Sequence, residues 1–454
     1  MKSFLSIVIA LATSAFAAGK PNVLFIAIDD LRPELGCYGS PQVKTPHIDR
    51  LAGQGMRFDR AYCQVPVCGA SRASLMTGML PTAKRFVGFD TRAETDAPDA
   101  PTLPQVFKAA GYTTLSNGKI FHHGDDTQKR SWSERAWKTD DRKALTSHDP
   151  ETTRFKSSKG RGRIYESPDV PDDAYPDGRV AQRTIEDLQR LKQEGKPFFL
   201  ACGFVKPHLP FYAPKKYWDL YDREKIQIAD NRARPKNAPD PLVGSTEFRS
   251  YHLGDFVENS EDFHRMMRHG YLACTSYVDK LLGDVMAELD RLGLAENTIV
   301  VVWGDHGWHL GEHNFWGKHN TMHLSTRVPL IVKVPRKKSG TTTSLVETSD
   351  LFPTLCTLAG IGIPETVQGR SFSELLDHPD RPFREVAYSR FMAGDAVITE
   401  NFNYTSYKNG KSEMLYDLKK DPQENNNVAG LPEYAETVTN MKKLLLDRKA
   451  EAAQ

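Results

Sequence analysis

The sequence predicts an α/β fold: a large, mostly parallel, doubly wound sheet flanked by helices, with a smaller C-terminal unit built on a short antiparallel sheet. Three observations carry this expectation. Apolar runs at 22–28 (NVLFIAI), 197–204 (PFFLACGF), 298–303 (TIVVVW) and 328–334 (VPLIVKV) have the near-unbroken hydrophobicity of strands covered on both faces. Helical patterns fall between them, and strands that alternate with helices build parallel sheets. Beyond about residue 360 the pattern changes to short strand-like pieces separated by Asn, Gly and Asp.

Taken in order, the first strand at 22–28 is followed by helical patterns at 48–54, 71–77 and 103–110. A shorter strand at 111–115 runs into Ser116-Asn117-Gly118-Lys119. A helix at 180–193 leads to the strand at 197–204, and a long helix at 263–292 leads to the strand at 298–303. The polar stretches 125–163 and 223–257 read as irregular loops over the sheet. The C-terminal strands are expected at 386–390, 396–399, 404–408 and 414–417, closed by a helix at 434–451.

The first residues form a separate signal. Lys2 is basic, residues 4–12 are almost wholly apolar, and Ala15-Phe16-Ala17 is a small-x-small cleavage site. The apolar run is too short to span a bilayer, so residues 1–17 read as a cleaved signal peptide and the mature chain as periplasmic or secreted, with no stable membrane insertion. The rest divides into 18–365 and 366–454. A formal charge of +2 over 454 residues offers no reason to expect a nucleic-acid partner. Six cysteines (Cys37, Cys63, Cys68, Cys202, Cys274 and Cys356) are too few for a disulfide scaffold in so long a chain. Cys202 and Cys274 lie in apolar patterns and read as buried thiols.

Ligands of open α/β sheets bind at the carboxyl ends of the strands. Here those ends are polar: Asp29-Asp30, Lys119 with His122, Lys206-Pro207-His208, and Asp305-His306. An acidic pair after one strand is often an ordinary loop cap. Joined by Asp305 it becomes a hard-oxygen set suited to Ca²⁺ or Mg²⁺. His306, His309, His313, His319 and His323 make zinc a competitor, because imidazole favours transition metals.

The segment from Cys68 to Gly78 (CGASRASLMTG) resembles the signature of the sulfatase family, in which the cysteine is oxidised to formylglycine by a maturation enzyme. The alternative makes Cys68 a disulfide partner of Cys63 or a buried thiol. The resemblance continues through 22–39, 45–51, 118–124 (GKIFHHG), 196–210 and 303–318 (WGDHGWHLGEHNFWGK), in the order of the iduronate-2-sulfatase-like branch. It implies an alkaline-phosphatase-like sandwich with a smaller C-terminal subdomain. It also implies a calcium ion held by Asp29, Asp30, Asp305, His306 and the modified Cys68, with Arg72 neutralising the carboxylates. Lys119 and Lys318 would bind sulfate oxygens, His122 would assist release of the sulfated position 68, and His208 would protonate the leaving alcohol. Two departures from the broader pattern, the spacing of Lys119 and His122 and the presence of His306, recur in that branch. The C-terminal part is shorter than in the animal enzymes.

The substrate that the resemblance implies is a sulfated saccharide, with an exo-acting uronate 2-O-sulfatase as the leading reading. The basic stretch 156–163 (KSSKGRGR) is a candidate for holding an anionic glycan, against a solvated loop. Phe211, Tyr212 and Trp218 are candidates for packing on a sugar ring, against simply covering the sheet. Two other functions compete: a phosphate or phosphonate monoester hydrolase of the same superfamily, and a non-catalytic binder of sulfated glycans.

Overall fold

The computed structural model describes residues 19–139, 147–154, 157 and 159–454. The expected signal peptide lies outside the described residues. Among those described, no helix is long and apolar enough to cross a membrane.

The sheet is built on β1 (Asn22–Ile28), whose seven residues are all buried. Its side chains alternate between two cores: Leu24, Ile26 and Ile28 enter one, and Val23, Phe25 and Ala27 the other. That is why the run is continuously apolar: a strand covered on both faces has no polar side to show. The first core is closed by helices α1 (Pro46–Ala52), α4 (Pro176–Glu194) and α5 (Glu261–Arg291). The second is closed by α2 (Cys68–Thr77), α3 (Leu103–Ala109) and α6 (Leu351–Ala359). The result is a three-layer sandwich.

The other strands are β2 (Met56–Tyr62), β3 (Thr113–Gly118), β4 (Phe198–Phe204), β5 (Thr298–Gly304), β6 (Arg327–Lys333), β7 (Gly340–Thr342) and β8 (Val346–Glu347). Their order is β7-β2-β6-β5-β1-β4-β3, with β8 also on β2. β3, β4, β1 and β5 pair in parallel, whereas β6 is antiparallel to both of its neighbours. A parallel return from β5 would need a crossover to the far edge. The antiparallel one keeps the whole 305–326 connection at the carboxyl ends of the parallel strands. β2 was not expected from the sequence: its alternation is broken by Arg57, Asp59 and Arg60, which stay half-buried.

Strands β9 (Ala387–Phe391), β10 (Gly394–Ile398), β11 (Phe402–Tyr407) and β12 (Ser412–Asp417) form the expected antiparallel sheet, a simple meander. Helix α7 (Ala435–Ala453) packs on it through Val438, Met441 and Leu445. A buried ion cluster joins α7 to the main sheet. Arg448 reaches both oxygens of Glu347 at 2.8 Å, Arg384 bonds Asp350 at 2.5 Å, and Glu347 also accepts from Tyr388 N at 2.7 Å. Removing one partner from such a cluster strands a buried charge. Glu347→Ala should therefore lower unfolding stability by roughly 3–5 kcal/mol, measured by urea denaturation. A loss under about 1 kcal/mol, the level of a surface pair, would show that the cluster is not what couples the two sheets.

Candidate active site

Strand register sets the site. Ile28 pairs with Phe204 on one side and Gly304 on the other, and Gly118 pairs with Gly203. Four strands thus end within a residue or two of the same level, and the residues that follow them share one edge. The ends approach closely: a Cβ on Gly118 would lie 2.2 Å from the Gly203 carbonyl oxygen, and φ at Gly118 is +74°. Only glycine fits there.

Asp29, Asp30, Asp305 and His306 are wholly buried and place their ligand atoms together. Asp30 N donates to Asp305 Oδ1 at 3.0 Å. Asp30 holds its place with φ at +60°, a left-handed backbone that costs energy outside glycine. Tyr271 on α5 supports that turn, donating to Asp30 O and accepting from Arg32 N, each at 2.9 Å.

Arg72 lies one helical turn after Cys68 and is fully buried. Its Nε donates to Asp305 Oδ2 at 2.9 Å, its NH2 group to Asp29 Oδ1 at 3.3 Å, and its NH1 group to the carbonyls of Lys119 and Ile120. Lys119 pairs with Asp29. Lys318 contacts both oxygens of Asp30, at 2.9 and 3.1 Å. Burial works against ionisation of Asp29, but the charges of Lys119, His208 and Arg72 outweigh it and hold the carboxyl well below its usual range. Burial and the adjacent Asp29 carboxylate push Asp305 upward.

His306 tests whether this set suits a cation. Its Nδ1 lies 3.0 Å from the Gly307 carbonyl, which can only accept, so Nδ1 carries a hydrogen. Nε2 is buried without a hydrogen-bond partner among the described residues, yet it faces Asp30 Oδ1 at 3.3 Å and Asp305 Oδ1 at 3.6 Å. In the neutral ring this puts a lone pair against carboxylate oxygens, an arrangement that a cation between them would satisfy. Three carboxylates with one imidazole suit a hard divalent ion. The donor set fits. The other histidines of the stretch disperse: His309 faces Asn320, His313 faces the carbonyls of Ala233 and Gln423, His319 stacks on Phe391, and His323 packs on Tyr62. None of these four belongs to a metal-capable cluster among the described residues.

Cys68 opens α2 beside the cluster, with Sγ 3.1 Å from His122 Nδ1. Burial opposes a thiolate, but the charge of Lys119 and the contact with His122 hold the thiol well below its ordinary range. All six cysteines are free, so the disulfide alternative with Cys63 is not what forms, and Cys202 and Cys274 are buried as expected.

A cavity of about 750 Å³ opens above these groups and is lined by Cys68, Lys119, His122, His208 and Lys318. Lys138, Lys159, Arg161 and Tyr251 form its outer wall. Arg161 is fixed by Ser250 Oγ at 3.1 Å and by the Tyr251 ring, 5.0 Å from its guanidinium carbon. Of the basic stretch, residues 156 and 158 lie outside those described. Phe211 and Trp218 are buried in the core at 0% and 4% exposure, so they cover the sheet, whereas Tyr212 reaches the cavity. The structure thus gathers Asp29, Asp30, Cys68, Arg72, Lys119, His122, His208, Asp305, His306 and Lys318 at one place. Sequence reasoning missed Glu247 and Tyr271, which belong to no motif and lie in an irregular loop and in mid-helix.

Residues 21–361 match the family model described as Sulfatase. Residues 311–451 match a model of the C-terminal part of N-sulphoglucosamine sulphohydrolase. Iduronate 2-sulfatase of Mus musculus is 35% identical over 393 residues, which cover 76% of this chain and 69% of the mouse protein. The solved structure of a 2-O GAG sulfatase superposes with a TM-score of 0.74 at 26% identity, over 96% of this chain and 93% of that one. The phosphonate monoester hydrolase of Agrobacterium radiobacter gives a TM-score of 0.79 at 23% identity, over 95% and 96%, a likeness of fold alone.

Proposed function

This chain belongs to the sulfatase family, and from that premise we propose that it is an exported, calcium-dependent hydrolase of a sulfated saccharide, with formylglycine made from Cys68 as its nucleophile. The observation that carries the reading is the setting of Cys68, buried at the cavity floor between the carboxylate cluster, His122 and Lys119. In this reading residues 1–17 direct export, 18–365 form the catalytic part and 366–454 the C-terminal subdomain.

Asp29, Asp30, Asp305 and His306, with the side chain at 68, would hold the cation. Bound there, it supplies Lewis acidity toward the nucleophile and the sulfuryl oxygens. The chain's own groups do the rest. Lys119 and Lys318, already beside Asp29 and Asp30, offer N–H donors to sulfate oxygens as charge moves onto them. Arg72 opposes protonation of Asp29 and Asp305 and ties α2 to the strand ends that carry them. His122 Nδ1 lies where it can take a proton from a hydroxyl at position 68. His208, whose Nε2 faces the cavity, can give one to the leaving alcohol. Burial opposes its charging, but Asp30 and Glu247 raise its pKa, which favours the protonated donor.

A uronate 2-O-sulfate at a chain end is the substrate we favour. Its support is the likeness to the mouse iduronate 2-sulfatase and to the 2-O GAG sulfatase structure. The cationic wall of Lys138, Lys159 and Arg161 is chemically suited to a sugar carboxylate.

Three outcomes follow. The Cys68 peptide of active enzyme should carry an aldehyde by mass spectrometry, and Cys68→Ala should be folded and inactive. Full turnover by a protein whose Cys68 is an unmodified thiol refutes the nucleophile. Elemental analysis should find about one calcium per chain from this ligand count, lost in Asp305→Asn; stoichiometric zinc required for activity rejects that assignment. Lys159→Ala with Arg161→Ala should raise KM for a 2-O-sulfated uronate disaccharide by roughly 10-fold or more, as loss of a charge-assisted contact predicts, while leaving KM for 4-nitrophenyl sulfate within about 2-fold. Turnover of 6-O-sulfated hexosamines in preference to the uronate would defeat the substrate reading.

A further inference from the structure

Glu247 stands outside every motif of the sequence, yet its carboxylate bridges two groups of the cavity. Oε1 lies 3.2 Å from His208 Nε2, and Oε2 lies 3.1 Å from Lys318 Nζ. Its side chain is 24% exposed, shielded from bulk water but open to the cavity that it lines. The loop beneath it is held in place. Glu247 N donates to Ser245 Oγ at 3.2 Å. Ser245 in turn packs on Gly317, the residue before Lys318, where an added Cβ would come within 2.8 Å of the serine Cβ. Glu247 and Lys318 are thus registered against each other through the Ser245 side chain, not only through charge.

His208 is constrained from its other side. Nδ1 lies 2.6 Å from the Leu209 carbonyl, which can only accept, so this nitrogen donates to the backbone. Lys206, itself buried, donates to the carbonyls of His208 at 2.9 Å and Pro210 at 2.6 Å and fixes the loop. At the other end of the ring Nε2 faces Glu247 Oε1 at 3.2 Å and, further off, Asp30 Oδ2 at 3.9 Å, so Glu247 is the nearer anchor of that end.

We propose that Glu247 is a positioning residue for hydrolysis, clamping the His208 ring and the Lys318 ammonium in the orientation that delivers a proton to the leaving oxygen. The inference rests on the reading of His208 as the proton donor. As the oxygen at position 68 bonds to sulfur, the bond from sulfur to the leaving oxygen breaks with its electron pair on that oxygen, and the proton on His208 Nε2 passes from its contact with Glu247 to complete the alcohol. Transfer demands hydrogen-bond reach, so a ring free to turn donates rarely. Leaving groups differ in how much they need that proton: a nitrophenolate departs readily without it, whereas a more basic phenolate or a sugar alkoxide does not.

That difference makes the role measurable without knowing the natural sugar. Glu247→Gln, Glu247→Asp and His208→Gln would be compared in mature enzyme on 4-nitrophenyl sulfate and phenyl sulfate, with thermal unfolding to confirm folding. Glu247→Gln should lose roughly 10-fold more kcat on phenyl sulfate than on 4-nitrophenyl sulfate, within the range of a proton-transfer contribution, with KM for both changed less than about 3-fold. Glu247→Asp, which keeps the charge, should recover part of the loss. On phenyl sulfate the double variant should be no slower than His208→Gln alone, because residues acting as a unit are not additive. Equal losses on both substrates, a change confined to KM, or additive losses in the double variant overturn the proposal. If His208→Gln itself lacks the leaving-group preference, the proton-donor reading falls and this inference with it. Glu247→Gln behaving as wild type beside a selective His208→Gln sinks the inference alone.

Discussion

Three carboxylates with no exposure to solvent stand at the end of an apolar sheet, and the cost of burying them shapes what surrounds them. An isolated ionised carboxylate cannot remain in such a place unpaired. Arg72 answers Asp29 and Asp305, Lys119 answers Asp29, and Lys318 answers Asp30. Three anionic groups thus face three cations, and His208 with Glu247 forms a further pair. A divalent cation added to this balanced set leaves a positive excess, which is the electrostatic condition for drawing in an anionic ester. The same pairs that make the fold tolerable hold Lys119 and Lys318 at the cavity they line.

Backbone geometry makes that density of charge possible. The strands end at one level because their parallel register is shared, and glycines at 118 and 203 let two of them close to a distance that no side chain permits. The antiparallel entry of β6 keeps residues 305–326 above the cluster, delivering His306 at one end and Lys318 further along. The C-terminal sheet then braces that connection. Thr405 bonds Thr321 at 2.7 Å, Asn403 donates to the Thr321 carbonyl at 3.1 Å, and Phe391 stacks on His319. The smaller unit therefore bears on the site through packing, although none of its residues lies in the carboxylate cluster.

The sequence by itself determined the layers, the strands that run to the site and the residue types at their ends. Continuous apolar runs and helical periodicity are local signals, and each follows from covering a strand on both faces or a helix on one. They located β1, β4, β5 and the C-terminal meander to within a residue or two. They failed for β2, whose charged positions hide its alternation. The long motif around Cys68 was legible because its chemistry demands a fixed set of residues within one helical stretch.

Only the tertiary structure decided how those residues combine. Of five histidines close in sequence, His306, the one beside Asp305 at the strand end, turns into the cluster, because the connection from β5 to β6 bends away after the strand end and commits the others to packing and carbonyls. Phe211 and Trp218 lay beside His208 in sequence and proved to be core. Glu247 lies 39 positions from His208 and 71 from Lys318, in a loop without periodicity, and no pattern in the chain marks it. Periodicity records which face of an element is buried. It carries no record of which distant loops meet, because such a meeting is set by the packing of the whole sheet and its connections.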